Sequence, residues 1–206
     1  MKSTEHFDAV IIGAGPAGCA TATILAQHGH RVLVLEREKF PRYHIGESLI
    51  PFTYPSLERL GLIPKLRQSG FVKKFSVQFV SPSGRASQPL YFYNRYDRET
   101  IAQTWQVLRS EFDCMVVGHA REAGVEIREG HEVLGFLKED ERFVGVRVRD
   151  VEGLEYTVTA PVTVGDDDFD VDQGWRGKAQ FVVVQGPAAS GESDPTGIEA
   201  DNDRDV

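Results

Sequence analysis

Residues 7–36 read FDAVIIGAGPAGCATATILAQHGHRVLVLE. The apolar run Ala9-Val10-Ile11-Ile12 passes straight into Gly13-Ala14-Gly15-Pro16-Ala17-Gly18. A short apolar run stopped by glycine predicts a strand buried on both faces, here Phe7 to Ile12. The alanine-rich stretch from Pro16 to His28 predicts a helix. Pro16 stands in its first turn, where a missing N–H costs nothing, and Gly29 is a good C-terminal stop. Arg31 to Leu35 (RVLVL) predicts a second strand, and Glu36 comes next, 18 residues after Gly18. Strand, GxGxxG, helix, strand and acid in this order form the fingerprint of a βαβ unit that holds the diphosphate of an adenine dinucleotide.

Each residue of the loop has a physical task. Gly13 permits the tight turn from strand to helix. Gly15 has no Cβ, so a diphosphate can approach the backbone, and Gly18 lets the helix pack close to the strand. The helix N-terminus turns N–H groups and the positive end of its dipole toward phosphate. Glu36 offers acceptors to the ribose hydroxyls, and an acid there repels a 2′-phosphate, which argues against NADP.

Outward from this unit, Lys39 to Pro51 reads as a loop. Thr53 to Leu60 and Ile63 to Ser69 predict two short helices separated by Gly61. Lys74 to Val80, Leu90 to Tyr93 and Gln103 to Val107 predict strands, with a turn at Ser81-Pro82-Ser83-Gly84. Arg109 to Ala123 predicts an amphipathic helix ended by Gly124. Val125 to Ile127, Glu132 to Leu137, Phe143 to Arg149 and Tyr156 to Thr159 are strand-like, and the last three predict an antiparallel meander. The fold class is therefore α/β: a Rossmann-like parallel sheet carrying the GxGxxG unit, plus a meander.

The charge is unevenly placed. Residues 1–160 hold 20 acidic and 20 basic side chains, while residues 161–206 hold 11 acidic and 3 basic. A body without net positive field predicts no nucleic-acid partner. After Pro161 the strand pattern degrades, with Phe181-Val182-Val183-Val184 as a last apolar run. From Gly186 onward the composition predicts disorder. The expected organisation is a dinucleotide-binding domain over 1–160 and an acidic, divergent, largely disordered tail over 161–206. Cys19 and Cys114 stand far apart and outside any CxxC, which predicts free thiols and a cytoplasmic setting. No histidine spacing predicts a metal site. The four-residue apolar run near the N-terminus is too short for a signal peptide, and no segment approaches the roughly 18 apolar residues of a membrane span.

The segment Phe40-Pro41-Arg42-Tyr43-His44-Ile45-Gly46-Glu47-Ser48-Leu49-Ile50-Pro51 resembles the PRxxxGES(L/T)xP stretch of the flavin-dependent halogenases and the geranylgeranyl reductase-like FAD oxidoreductases. The preceding VLVLEREKFPR, the later Gln106-Val107-Leu108-Arg109-Ser110-Glu111-Phe112-Asp113, and His119 to Val125 resemble the same superfamily, so the likeness covers about residues 6–160. It implies FAD as cofactor. It places Gly13, Gly15, Pro16, Ala17, Gly18, Glu36 and Arg37 at the ADP half and Arg42 at the diphosphate. Gly46, Glu47 and Ser48 fall beside the isoalloxazine and ribityl chain, and Arg109 and Val133 also contact the cofactor. The residues alone leave Arg109 a second reading, a surface ion pair with Asp113 at i+4.

The resemblance further implies an oxidoreductase of halogenase or monooxygenase type acting on a small organic substrate, served by a separate flavin reductase. In the halogenases a lysine at about this distance after GES meets hypohalous acid made at the flavin and directs the halogen to substrate. Lys73 and Lys74 are the candidates, with Lys74 preferred because it opens the predicted strand. By themselves the two are solvated lysines at a strand edge. A reductase of isoprenoid double bonds and a non-catalytic remnant with weak or no flavin binding are the alternatives.

The chain departs from the superfamily after the meander. Where a strand and D-A-(S/T)-G are expected, it reads Val162-Thr163-Val164-Gly165-Asp166-Asp167-Asp168, and no W-x-W-x-I-P segment is present. The departure leads to the expectation of an incomplete domain, through truncation or a reading-frame shift near residue 160, with catalysis in doubt.

Overall fold

The apolar run Ala9–Ile12 lies at the centre of a parallel sheet. The computed structural model describes residues 5–92, 102–139 and 142–165, and the backbone of 182–184. In chain order the elements are β1 (Glu5–His6), β2 (Ala9–Ile12), α1 (Pro16–Gln27), β3 (Val32–Glu36), α2 (Tyr54–Leu60), α3 (Ile63–Gln68), β4 (Val72–Lys74), β5 (Ser76–Val77), β6 (Leu90–Tyr91), β7 (Thr104–Gln106), α4 (Arg109–Glu122), β8 (Glu126–Glu129), β9 (Glu132–Glu139), β10 (Arg142–Arg149), β11 (Glu155–Thr159), β12 (Val162–Gly165) and β13 (Val182–Val184). They fall into two compact units. One takes the described residues of Met1–Arg42 and Val116–Val206, the other those of Tyr43–Met115.

In the first unit β2 pairs in parallel with β3 and with β12, and the sheet order is β13-β12-β2-β3-β8. Every residue of β2 and β3 is buried, as expected for strands covered on both faces. Side chains alternate across a strand, so Val10 and Ile12 share one face with Leu33 and Leu35. That face packs on Val146, Val148 and Val158 of the second sheet, order β1-β11-β10-β9, and on Ala160 just beyond β11. Each such side chain contributes roughly 1.5–3 kcal/mol on burial. Helix α1 packs on β2 and β3 through small residues, among them Gly18, Cys19 and Ala22.

Two boundaries differ from the sequence reading for physical reasons. The predicted strand from Phe7 to Ile12 divides at Asp8. Phe7 donates its N–H to Thr159 O at 3.0 Å and belongs with the meander, while Asp8 Oδ2 accepts the Arg31 N–H at 2.6 Å and turns the chain into β2. The predicted degradation after Pro161 does not begin there. Val162–Gly165 is a strand in register with Ala9–Ile12, and Thr163, Val164 and Gly165 are buried. Residues 166–181 and 185–206, on which the expectation of a disordered tail rests, lie outside the described residues, as do all side chains of 182–184. The strand Glu126–Glu129 begins one residue later than Val125 and pairs in parallel with β3, and the three-stranded meander stands as read.

In the second unit α2 and α3 bury Leu57, Leu60, Leu62, Ile63 and Leu66. Gly61 joins them at φ +82°, a left-handed conformation that glycine adopts freely. The predicted strand from Lys74 to Val80 is two strands. β4 pairs with β7 and β5 with β6, so Lys74 closes a strand and does not open one. Among the described residues no helix is long and apolar enough to cross a membrane, and no cluster of His, Cys, Asp and Glu could hold a metal ion.

Candidate functional site

The glycine loop is built by hydrogen bonds to the second strand. Gly13, at φ +97°, donates its N–H to Leu35 O at 2.8 Å. Ala14 donates to Glu36 Oε2 at 2.8 Å, and Glu36 Oε1 accepts the Glu38 N–H at the same distance. Gly15 is the extended N-cap of α1 (φ −67°, ψ 175°), with no side-chain cap. Pro16 follows at N1, and no acid occupies the first turn. The first-turn N–H groups of a helix lack intrahelical acceptors, so this uncapped end is suited to an anion. Pro16 and Ala17 are half-buried, Gly18 is buried and Arg37 is exposed.

Glu36 is 1% exposed. A carboxylate has about four acceptor positions, and two are taken by backbone N–H groups, which leaves capacity for ribose hydroxyls. Arg42 is buried beside it, Nη2 at 3.6 Å from Glu36 Oε2 and Nη1 at 3.7 Å from Glu38 Oε2. These partners are two acids of the same unit. Val133 lies on β9 opposite Val148 and packs against the apolar cluster of the first unit.

Two ion networks brace the edge of this unit. Glu129 Oε2 accepts the Phe40 N–H at 2.9 Å and Glu129 Oε1 the Arg121 Nη2 donor at 2.8 Å. Burial pushes the Glu129 carboxyl up, but those donors, with the Arg121 charge, hold it below the usual carboxylate range. Arg128 donates to Glu5, Glu126 and Tyr156. Burial lowers its pKa, and these partners outweigh that and raise it. Burial raises the Tyr156 phenol in turn.

In the second unit the GES segment runs beside β7 and bridges to it at Ser48. Leu49 donates its N–H to Trp105 O at 3.1 Å, Val107 donates to Glu47 O at 2.8 Å, and Ser48 lies opposite Gln106. Gly46 opens the segment at φ +109°. The two lysines separate here. Lys73 is exposed opposite Trp105 in the β4–β7 ladder. Lys74 Nζ donates to Ser48 Oγ and, at 3.1 Å, to Leu49 O, and lies 5.7 Å from the centre of the Phe92 ring. Thr104 Oγ1 shares Leu49 O at 3.1 Å.

Arg109 does pair with Asp113, as the i+4 spacing allows, but the pair is not a surface one. Nε and Nη2 reach Oδ1 and Oδ2 at 2.8 and 3.1 Å, and Asp113 is fully buried. Nη1 donates to Ile45 O at 3.0 Å. The sequence reading missed Asp113 and Thr104 as site residues. The Arg-x-x-x-Asp spacing signalled the first, but its burial has no local signal. Nothing in the sequence signalled the second.

Residues 6–171 match the family described as FAD binding domain. The chain is 33% identical over 193 residues to a brominase of 1H-pyrrole-2-carbonyl peptidyl-carrier protein from Pseudoalteromonas luteoviolacea, covering 92% of this chain and 45% of that protein. Its fold is similar to that of the myxobacterial chondrochloren halogenase CndH, a variant FAD-dependent halogenase, with TM-score 0.72 and 40% identity over 79% of this chain and 37% of that one. A geranylgeranyl bacteriochlorophyll reductase-like protein from Thermoplasma acidophilum shares the fold alone, with TM-score 0.62 and 19% identity over 80% of this chain and 40% of that one. The chain spans 26% of the length of one curated halogenase relative, from Armillaria mellea, and 45% of the brominase.

Proposed function

The chain belongs to the FAD binding domain family, with FAD as its cofactor, and on this basis we propose that it serves a flavin-dependent halogenase in which Lys74 directs the halogen. The observation that carries this reading is the attachment of Lys74 Nζ to Ser48 and Leu49 within the GES segment, while Lys73 faces solvent. The 40% identity to a halogenase, against 19% to the reductase-like protein, supports it over isoprenoid reduction.

The residues fit the cofactor. The uncapped N-terminus of α1, with Gly13, Gly15, Pro16, Ala17 and Gly18, would hold the diphosphate through the backbone N–H groups it offers, and the exposed Arg37 would border the ADP half. Glu36 would take the ribose hydroxyls on its remaining lone pairs, and Arg42 would hold Glu36 in place. Gly46, Glu47, Ser48, Arg109 and Val133 are proposed for the flavin half. Arg109 has five N–H donors, and three are engaged by Asp113 and Ile45. The remaining two suit an oxygen-rich ligand. Bound FAD supplies the redox chemistry, and the protein supplies binding and orientation.

Lys74 contributes a positive charge on a side chain that Ser48 Oγ and Leu49 O hold in place. Such an ammonium can hydrogen-bond hypohalous acid and present its halogen to an electron-rich carbon. The proposed substrate is a small organic molecule, and a separate flavin reductase is the proposed source of reducing equivalents. A cytoplasmic setting is proposed with it, in keeping with Cys19 and Cys114 not being joined in a disulfide.

The test is in two steps. The purified chain should quench FAD fluorescence in a micromolar titration. With reduced flavin, oxygen and chloride or bromide, it should halogenate electron-rich aromatic acceptors, and Lys74→Ala should abolish halogenation while keeping FAD. Halide-independent reduction of an isoprenoid double bond would favour the reductase instead, and failure to bind flavin would favour a non-catalytic remnant.

A further inference from the structure

We infer that Asp113 is a positioning residue: through Arg109 it fixes the turn at Ile45 and Gly46, and with it the place where Ser48 and Lys74 meet. Every group involved lies within the unit Tyr43–Met115.

Asp113 is 0% exposed, and a bare buried carboxylate is costly. Its two oxygens are instead met by one guanidinium, Nε at 2.8 Å and Nη2 at 3.1 Å. A fork held on two nitrogens cannot rotate, so the third nitrogen is aimed. That nitrogen, Nη1, donates to Ile45 O at 3.0 Å and lies 3.2 Å from where a Cβ on residue 46 would stand. Gly46 also has φ +109°. Backbone conformation therefore favours glycine at this point, and a Cβ there would press on the Arg109 guanidinium.

The turn sets where the segment that leaves it lies against β7. Glu47 and Leu49 pair with Val107 and Trp105, which leaves Ser48 Oγ and Leu49 O as the two acceptors of the Lys74 ammonium. A carboxylate on α4 thus reaches Lys74 through a guanidinium, a turn and the segment bridged to β7. Its value for chemistry rests on the role proposed above for Lys74, while the mechanical linkage does not.

The experiment uses the full chain without flavin, as wild type, Asp113→Asn, Arg109→Gln and the double variant. Hydrogen exchange is read at the amides of Leu49 and Val107. Lys74 and Lys73 are labelled with an amine-reactive acetyl ester and compared by mass spectrometry. A charge-assisted hydrogen bond is worth about 1.5–3 kcal/mol, so each single variant should speed exchange at both amides about tenfold or more. Each should also raise Lys74 labelling toward that of Lys73, and the double variant should add nothing further. Ser48→Ala should free Lys74 while leaving the two amides protected.

Wild-type exchange and labelling in Asp113→Asn, or faster exchange confined to α4, would overturn the inference, because a merely structural aspartate disturbs its own helix first. Should Asp113→Asn not fold, Gly46→Ala loads the same turn from its other side, and unchanged Lys74 labelling in that variant overturns the inference equally. None of these readouts needs flavin or turnover. Retained halogenation in Lys74→Ala would therefore sink the functional reading while leaving this one standing.

Discussion

Glu36 Oε2 accepts the backbone N–H of Ala14 at 2.8 Å, so the acid that ends the second strand also holds the glycine loop that leaves the first. The same carboxylate takes the Glu38 N–H on its other oxygen. Glu36→Ala should therefore lower stability as well as FAD affinity. Two hydrogen bonds to a charged group and a buried void predict a loss of about 3 kcal/mol in chemical denaturation. Glu36→Gln keeps the shape and one acceptor, and should lose about half as much. Equal stability of wild type and Glu36→Ala would show the two bonds to be unimportant.

Gly13 and Gly15 should respond differently to alanine. Gly13 sits at φ +97°, so Gly13→Ala should cost about 1 kcal/mol or more of stability. Gly15 has φ −67°, which any residue adopts, so Gly15→Ala should fold nearly as well as wild type. With the diphosphate placed as proposed, its Cβ would stand in the way, and FAD affinity should fall at least tenfold. Thermal melts and a flavin titration on both variants separate the two effects.

Glu129 makes stability depend on acid. Its folded-state pKa lies below the ordinary value of about 4.5, so its contribution is fully present above that value and is lost as the pH falls from there through the lower folded-state pKa. Glu129→Gln should therefore melt lower than wild type at pH 7, and the gap should shrink steadily toward pH 3. A gap that stays constant across that range would mean that the contacts to Phe40 and Arg121 do not depend on the charge.

Gly145 tests the packing of the meander. At φ +156° it lies against β11, and a Cβ there would collide with the carbonyl oxygen of Val158. Gly145→Ala should cost about 2–4 kcal/mol, measured by denaturant unfolding. A near-neutral result would mean that β10 and β11 can part locally without disturbing Val146 and Val158.

The parts that were legible in the sequence are those in which local chemistry dictates local form. Residues 9–36 combine burial, glycine geometry and a helix stop within one short stretch, so their reading needs no distant partner. The meander was legible through alternation. Features that depend on pairing across long separations were not legible. Lys74 could not be separated from Lys73 by spacing, because the choice is made by Ser48 and Thr104, which are 26 residues before it and 30 after it. Val162–Gly165 looked like the start of a degraded tail because strongly acidic residues follow it, yet its apolar side chains find a place beside β2. Arg109 and Asp113 were legible as a pair, but their burial depends on how the rest of the unit packs.

The strand order β12-β2-β3-β8 has a consequence of its own. From β2 the chain winds outward on one side through β3 and β8, then returns to lay β12 on the other side. The winding reverses between β2 and β12, and open parallel sheets take their ligands at such a reversal, beside the carboxyl ends of the strands. The carboxyl ends at this reversal are Ile12, which runs into Gly13, and Gly165. The topology of this sheet alone therefore marks the ground on which a nucleotide can settle. The glycines refine the fit at an address that the order of the strands had already assigned.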